Sequence, residues 1–177
     1  MELDYSYFTK KHIADGAKIF IPKEAGEAPR PGSFDAVMLH NELEYSADIT
    51  AALEDYLRFL KPGGLLLIHS PNYLSAKRLF DDFHFFLALG TIFRIVGRTV
   101  AHRPRFLYRH NADVHCYLSP IDLKLELERL GLKVLSYQTV EHLRDASLLK
   151  RLGSKFFGDH MSLIRIVAKK GARYERH

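Results

Sequence analysis

Two histidines are candidates for proton transfer because each follows a predicted strand. His40 follows the apolar run 36–39, and His69 follows the apolar run 65–68. Imidazole gains and loses its proton near neutral pH, so each residue is a candidate general base. A histidine at the end of a buried strand serves equally well as a hydrogen-bonded structural residue. The sequence leaves both roles open.

The remaining clustered histidines do not form a pattern typical of metal sites. His102, His110 and His115 have no helical i, i+4 pairing, and Cys116 is the single cysteine, so no CxxC frame exists. We therefore predict no metal site. A single cysteine also excludes an internal disulfide and fits a reducing compartment.

Composition and length predict an ordinary globular chain. With 177 residues, 47% of them hydrophobic, one domain over residues 1–177 is expected. No apolar run reaches the roughly 18 residues that a membrane-spanning helix needs. The acidic amino terminus lacks the basic and apolar regions of a signal peptide. These features predict a cytoplasmic protein.

The elements that would carry the two histidines are strands. Residues 34–39 and 65–68 are short, nearly continuous apolar runs, typical of strands buried on both faces. Between them, apolar residues at helical spacing predict a helix over 49–60, capped by Asp48 or Thr50 and ended by a turn at the Pro-Gly-Gly sequence. Strand, helix and strand in succession are typical of the α/β class.

The flanking segments extend this pattern. A short β-branched and aromatic run predicts a strand over 18–21. Ser119 followed by Pro120 predicts the start of a helix that ends at Gly131. Two further strands are predicted, over 132–140 and 161–168, and they are expected to pair antiparallel at the edge of the sheet.

These motifs together resemble a known family. Residues 33–37 (SFDAV), the pair Leu43-Glu44 and residues 60–68 (LKPGGLLLI) are similar to the FDxV…LEH…LKPGGxLLI run of class I S-adenosylmethionine-dependent methyltransferases. Residues 71–75 and 118–134 resemble the later part of the same layout. The resemblance implies a Rossmann-like methyltransferase fold of the α/β class, with a mostly parallel sheet and an antiparallel final strand. It implies S-adenosyl-L-methionine as the cofactor.

The resemblance also implies a set of cofactor-binding residues: Glu2 and Asp4, Glu24 and Ala25, Leu39 and His40. Glu2 is preferred over Asp4 as the acceptor of both ribose hydroxyls, because a carboxylate can take two donors. Glu24 corresponds to the position that meets the adenine amino group, and Leu39 and His40 border the methyl group. A solvated surface carboxylate is the alternative for each acidic residue.

Two departures from the family pattern are evident. The glycine-rich loop is absent, since Gly16, Gly26 and Gly32 come singly. We therefore expect a chain that is N-terminally truncated relative to the family, with an uncovered strand edge that favours a homodimer or another pairing. Tyr45 stands where many relatives have the histidine of LEH, so no histidine role is carried over to it.

An aromatic and basic segment over about 75–117 lies where the family builds a cap above the acceptor. It predicts either a lid over a bulky or lipid-linked acceptor, with peripheral contact to a membrane, or a plain core helix or dimer face. The net charge of +5 is not arranged on a motif that reads nucleic acid, so no specific nucleic-acid partner is expected.

Two functional interpretations follow. In the first, the chain belongs to a methyltransferase that transfers a methyl group to a small-molecule, glycan or lipid-linked acceptor, with His40 and His69 as candidate catalytic residues. In the second, it is a methyltransferase-like binding or scaffold protein that has lost catalysis together with the glycine-rich loop. The fold alone does not decide between them.

Overall fold

The computed structural model describes residues 12–22, 29–72, 107–108, 116–140 and 163–171. In chain order its elements are strands β1 (Ile19–Phe20) and β2 (Phe34–His40), a 3₁₀ helix (Leu43–Tyr45), helix α1 (Ile49–Phe59), strands β3 (Leu60–Pro71), β4 (Leu107–Tyr108) and β5 (Cys116–Tyr117), helix α2 (Pro120–Arg129), and strands β6 (Leu132–Val140) and β7 (Leu163–Lys170). The expected aromatic cap lies mostly outside these residues.

Five strands form one sheet in the order β1-β2-β3-β7-β6, and β4 pairs with β5 separately. The pairs β1–β2 and β2–β3 are parallel, whereas β7 is antiparallel to both β3 and β6. Four strands therefore run in one direction and β7 runs against them. This arrangement confirms the predicted fold class and the predicted antiparallel pairing of the last two strands.

Apolar alternation along the strands defines two faces of the sheet. The helical face packs against α1 and α2; its strand residues include Val37, Leu39, Leu66, Ile68 and Ile166. The opposite face has a smaller core against which Ile13, before β1, packs; its buried strand residues are Ala36, Met38, Leu67 and Val167. Because side chains alternate along a strand, His40 and His69 lie on the opposite face and Ser70 lies on the helical face.

Helix α1 is fixed at both ends. The Asp48 side chain accepts a hydrogen bond from the backbone N–H of Ala51, so Asp48 is the cap. At the other end, the ammonium group of Lys170 donates to the carbonyl oxygens of Leu57 (2.7 Å) and Leu60 (3.0 Å). A cation beside the last carbonyl oxygens of a helix stabilises the helix through its dipole. Burial lowers the pKa of Lys170.

Helix α2 begins as its sequence predicts. Ser119 is the cap, its hydroxyl oxygen accepts from the backbone N–H of Asp122 (3.1 Å), and Pro120 opens the first turn. Glu126 is almost fully buried, and its carboxylate accepts from the Thr50 hydroxyl (2.6 Å) and from Arg129. These contacts join α2 to the start of α1.

The predicted turn after α1 takes a different form. The sequence places a turn at 61–64 and a strand only at 65–68, but β3 already begins at Leu60. The neighbouring cross-strand pairs are Phe34–Leu60 and Ala36–Leu65, so residues 61–64 form an arch beside Asp35. The backbone is helped through the arch by Gly63, whose φ is +77°.

Candidate functional site

The two predicted catalytic histidines lie side by side at the carboxyl ends of β2 and β3. His40 is the cross-strand partner of His69 in the parallel register. Their Nδ1 atoms are 2.7 Å apart, and their ring centroids are 4.7 Å apart with an angle of 31° between the planes. A hydrogen bond between two Nδ1 atoms holds a single proton, so one ring donates while the other accepts.

When both rings are neutral, this hydrogen bond therefore fixes which nitrogen of each ring carries the proton. The donating ring carries its proton on Nδ1 and has a basic Nε2, whereas the accepting ring carries its proton on Nε2. The Nε2 atom of His69 is shielded from solvent. When His40 donates through Nδ1 and His69 accepts, the basic Nε2 is that of His40 and not the shielded one of His69. In that arrangement His69 orients the ring of His40.

The chain turns sharply directly after β2. Asn41 has a φ of +50°, and its backbone N–H donates to the carbonyl oxygen of His69 (2.9 Å). Asparagine is among the few non-glycine residues that enter the left-handed region readily. This conformation ends β2 beside the histidine pair and directs the chain into the 3₁₀ helix.

The 3₁₀ helix places a carboxylate inside the protein. Glu44 is only 1% exposed, and its Oε2 accepts a hydrogen bond of 2.8 Å from the hydroxyl of Ser70. A buried carboxylate needs such partners, because its transfer from water is otherwise costly. Tyr45, at the position of the family's LEH histidine, is instead exposed. Glu44 therefore links the loop after β2 to the end of β3 on the helical face.

A second buried carboxylate lies in the same region. Asp122 accepts a short hydrogen bond from the Ser119 hydroxyl. Burial, followed by the negative charges of Asp122 and Glu44, raises the pKa of the Cys116 thiol to about 12. A thiol that stays protonated is a poor nucleophile and a poor metal ligand. Across the residues that the structure covers, no group of three or more His, Cys, Asp or Glu side chains could hold a metal ion.

A third polar residue extends the histidine pair across the sheet. In the antiparallel register, His69 is opposite Arg165 of β7, and Arg165 is opposite Gln138 of β6. Directly opposed residues share a face, so Arg165 lies on the same face as His40 and His69. We call His40, His69 and Arg165 the polar row. The sequence analysis missed Arg165, although a lone arginine within the apolar run 163–168 was a visible signal.

An open pocket of about 390 Å³ lies at the other end of the sheet. It is lined by residues 12–17 together with Asp35 and residues 61–65 of the arch. These residues stand at the amino ends of β2 and β3, whereas ligands of open α/β sheets bind at the carboxyl ends. We therefore place the candidate site at the polar row and not at this pocket.

The remaining predicted site residues fall into two groups. Glu2, Asp4, Glu24 and Ala25 lie outside the described residues. Leu39 is 1% exposed and packs in the core of the helical face. A ligand at the end of β2 would therefore meet the backbone of Leu39, while the partly buried side chain of His40 lies on the opposite face.

The residues at this end of the sheet suit part of S-adenosyl-L-methionine. A sulfonium group is a cation, and neutral imidazole rings with a neighbouring asparagine can border a cation without repelling it. His40, Asn41 and the backbone of Leu39 are the described residues that would hold the methyl end of the molecule. The residues expected to hold the ribose and adenine are among those outside the described ranges.

The sheet order and the strand-end site define an α/β protein with a Rossmann-like methyltransferase architecture. Residues 7–137 match the family model described as "Methyltransferase domain", which covers well over half of the chain. The chain therefore belongs to the methyltransferase-domain family. This membership confirms the resemblance inferred from the motifs, together with S-adenosyl-L-methionine as the expected methyl donor.

Solved structures share the fold at low sequence identity. The chain is similar to a chain in the complex of the Haloferax volcanii Trm112 methyltransferase activator with a methyltransferase. The two share 14% identity with a TM-score of 0.50, and the match covers 82% of this chain and 57% of that chain. An S-adenosylmethionine-dependent methyltransferase from Mesorhizobium loti gives 13% identity, a TM-score of 0.46 and coverage of 82% and 66%.

A third similar structure is a Burkholderia thailandensis 1,6-didemethyltoxoflavin-N1-methyltransferase with bound 1,6-didemethyltoxoflavin and S-adenosylhomocysteine. It gives 13% identity, a TM-score of 0.46 and coverage of 82% of this chain and 47% of that chain. The chain thus spans less than two thirds of the length of these three relatives. No curated protein matches the sequence of this chain. Within the described residues, no helix has the length and hydropathy needed to span a membrane.

Proposed function

We propose that this chain carries the acceptor side of an S-adenosylmethionine-dependent methyltransferase, with His40 as the general base and His69 as the residue that orients it. The observation that carries this proposal is the Nδ1–Nδ1 contact of 2.7 Å at the carboxyl ends of adjacent parallel strands. Membership of the methyltransferase-domain family supports catalysis over the non-catalytic alternative.

The cofactor, when bound, supplies an electrophilic methyl group on a sulfonium. The chain's own residues then have two tasks. The ends of β2 and β3 hold the acceptor in line with that methyl group, and such orientation alone accounts for a large part of the rate. Nε2 of His40 takes the proton that an O–H or N–H acceptor loses, while the bond from its Nδ1 to His69 spreads the resulting positive charge.

The different roles proposed for the two histidines follow from the burial of Nε2 of His69. The Nε2 atom of His69 is shielded from solvent, so a substrate cannot use it as a base without a rearrangement. His40 is partly exposed at the end of β2, directly before the left-handed residue Asn41. His40 is therefore the proton acceptor in this proposal, and His69 is a positioning residue.

The acceptor class remains part of the proposal. A small molecule, a glycan or a lipid-linked acceptor are the candidates, with the last requiring peripheral contact with a membrane. Cytoplasmic localisation is proposed as well, supported by the single cysteine, Cys116, which is buried as a free thiol.

Calorimetric titration of the full 177-residue chain with S-adenosylhomocysteine tests the proposal first. Micromolar binding is expected, with a His69→Gln variant binding within a few-fold of the parent, because His69 is assigned to the acceptor and not to the cofactor. Absence of binding by a chain that is folded by circular dichroism contradicts a self-sufficient cofactor site. The same titration of a longer version of the protein then tests whether residues outside this chain complete the site.

A further inference from the structure

The polar row carries a positive charge directly beside the histidine pair. Arg165 is opposite His69 in the β3–β7 register, as His40 is in the β2–β3 register. Two residues further into each of the three strands, the same face of the sheet is apolar, with Met38, Leu67 and Val167. The charge therefore lies at the boundary between a buried apolar face and the end of the sheet where ligands of α/β proteins bind.

Arginine is suited to one kind of ligand at such a boundary. Its planar guanidinium presents paired donors that match a carboxylate or a phosphate in a bidentate manner. The Nε atom of Arg165 is shielded from solvent, and the residue as a whole is partly exposed. A charged group that is partly desolvated interacts more strongly with an opposite charge than one in bulk water.

Within the polar row, the residues implied for cofactor binding and the positive charge of Arg165 lie on different strands. The implied methyl-binding residues Leu39 and His40 are on β2, whereas Arg165 is two strands away on β7. Neighbouring strands are about 4.8 Å apart, so His40 and Arg165 are about 10 Å apart across the sheet. A sulfonium cation fits better on the β2 side, and an anion fits better on the β7 side.

We propose that the methyl acceptor carries an anionic group, a carboxylate or a phosphate, and that Arg165 binds this group while the histidine pair faces the atom to be methylated. This inference rests on the proposed function and gives it a substrate class. The acceptor's nucleophilic atom and its anionic group lie within about 10 Å of each other, which is the span of the polar row.

The test uses inorganic phosphate and acetate as separate probes on the full chain labelled with ¹⁵N. Imidazole ¹⁵N signals of His40 and His69 are followed during titration at constant pH, with sodium chloride keeping the ionic strength fixed. Saturable shifts in the millimolar range are expected, and the stronger of the two probes identifies the anion class. Absence of a saturable response to either probe overturns the proposal.

Variants on the same strand identify the responsible charge. Arg165→Gln is expected to weaken probe binding at least ten-fold. Lys169→Gln is the matched control, because Lys169 is an exposed cation on the same strand and the same face, four residues away. Equal weakening in both variants would show a general charge effect and overturn the assignment to Arg165.

Two further measurements keep the outcome interpretable. If Arg165→Gln does not fold, Arg165→Lys decides: it must lose several-fold affinity for phosphate, because a single ammonium replaces the bidentate fork, and unchanged affinity overturns the proposal. Titration of the same samples with S-adenosylhomocysteine separates the two claims. Cofactor binding without an anion response removes this inference alone, whereas an anion response without cofactor binding contradicts a self-sufficient cofactor site in this chain and leaves the anion site at Arg165 supported.

Discussion

The ammonium group of Lys61 donates a hydrogen bond of 2.6 Å to Oδ1 of Asp35, beside the arch that residues 61–64 form near the start of β3. The other oxygen of Asp35 accepts from the backbone N–H of Lys18 (2.9 Å), just before β1. One carboxylate therefore joins three consecutive parts of the sheet. The FD and LKPGG motifs are coupled through this contact at the end of the sheet remote from the histidines, so they are scaffold residues.

Gly64 is required by the same arch. A Cβ atom at this position would lie 3.0 Å from the carbonyl oxygen of Lys61 and 3.1 Å from that of Asp35. Both are backbone atoms that cannot move independently, so Gly64→Ala is expected to lower the free energy of unfolding by about 1–3 kcal/mol. Urea denaturation followed by circular dichroism measures the change.

Gly171→Ala is the matched control for Gly64→Ala. Its Cβ atom would meet the carbonyl oxygen of Gly131 at 3.5 Å, an ordinary van der Waals distance. We expect its stability to remain within about 0.5 kcal/mol of the parent. A Gly64→Ala variant as stable as Gly171→Ala would show that the arch can open without cost.

Asp35 should make stability depend on pH in the acid range. The hydrogen bond from Lys61, followed by that from the backbone of Lys18, holds the pKa of Asp35 below its usual value. A lowered folded pKa stabilises the native state above the unfolded value of about 3.9, and this contribution is lost as the pH falls through the folded pKa. Parent and Asp35→Asn should therefore differ in stability at pH 6 and converge below about pH 4.

The corresponding control is Asp55→Asn on α1. Asp55 is paired with Arg58 on the exposed side of the helix. An exposed ion pair contributes little, so this variant should follow the parent over the whole pH range. Parallel curves for the parent and Asp35→Asn down to pH 3 would contradict the role assigned to Asp35. Urea denaturation between pH 3 and 7 provides the data.

Cys116 is expected to be unreactive in the folded protein. Burial raises the pKa of its thiol to about 12, so almost no thiolate forms at pH 8. Labelling with iodoacetamide at pH 8 should be slow in native buffer and complete in denaturant. Because the unfolded thiol loses its proton near pH 9.0 and the folded one does not, this group makes the native state less stable as the pH rises from about 9 to 12.

A variant isolates that alkaline effect. Cys116→Ala removes the thiol, so the stability difference between parent and variant should change in favour of the variant between about pH 9 and 12. Rapid stoichiometric labelling of native protein at pH 8 would show that Cys116 is more accessible than the structure has it.

Local features of the fold were predictable because their causes are local. Asp48 and Ser119 each bind a backbone N–H group three residues further along the chain, and each cap was visible as a polar residue before an apolar periodic run. The arch was not predictable in this form, since proline and two glycines indicate a turn. In the structure, residues 61–64 instead stay alongside β2, because β3 pairs with β2 both before and after Asp35.

The candidate site was only half predictable for the opposite reason. Runs 36–39 and 65–68 placed His40 and His69 at strand ends, but their contact depends on a register between strands 29 positions apart. Arg165 joins them only because β7 inserts between β3 and β6. Glu44 was visible as part of a motif, yet its burial against Ser70 follows from the 3₁₀ turn after Asn41.

Once a methyl acceptor has been identified, substitutions of the two histidines should change the methyl-transfer activity differently. His40→Gln removes the proposed proton acceptor, so kcat/KM for S-adenosylhomocysteine formation should fall by about 10²–10⁴-fold, and the activity–pH profile should lose its rising limb. Affinity for S-adenosylhomocysteine, which lacks the methyl group that His40 would border, should stay within a few-fold. If His40→Gln retains the parent's rate and pH profile, His40 is not the base.

His69 acts on the reaction through the ring of His40, so its substitutions should form a graded series. The amide oxygen of Gln can still accept a hydrogen bond from Nδ1 of His40, whereas Phe cannot. We therefore expect His69→Gln to keep more activity than His69→Phe, with the rising limb of the pH profile still present in His69→Gln. Equal losses in both variants, at unchanged cofactor affinity, would mean that the hydrogen bond of 2.7 Å does not orient the base.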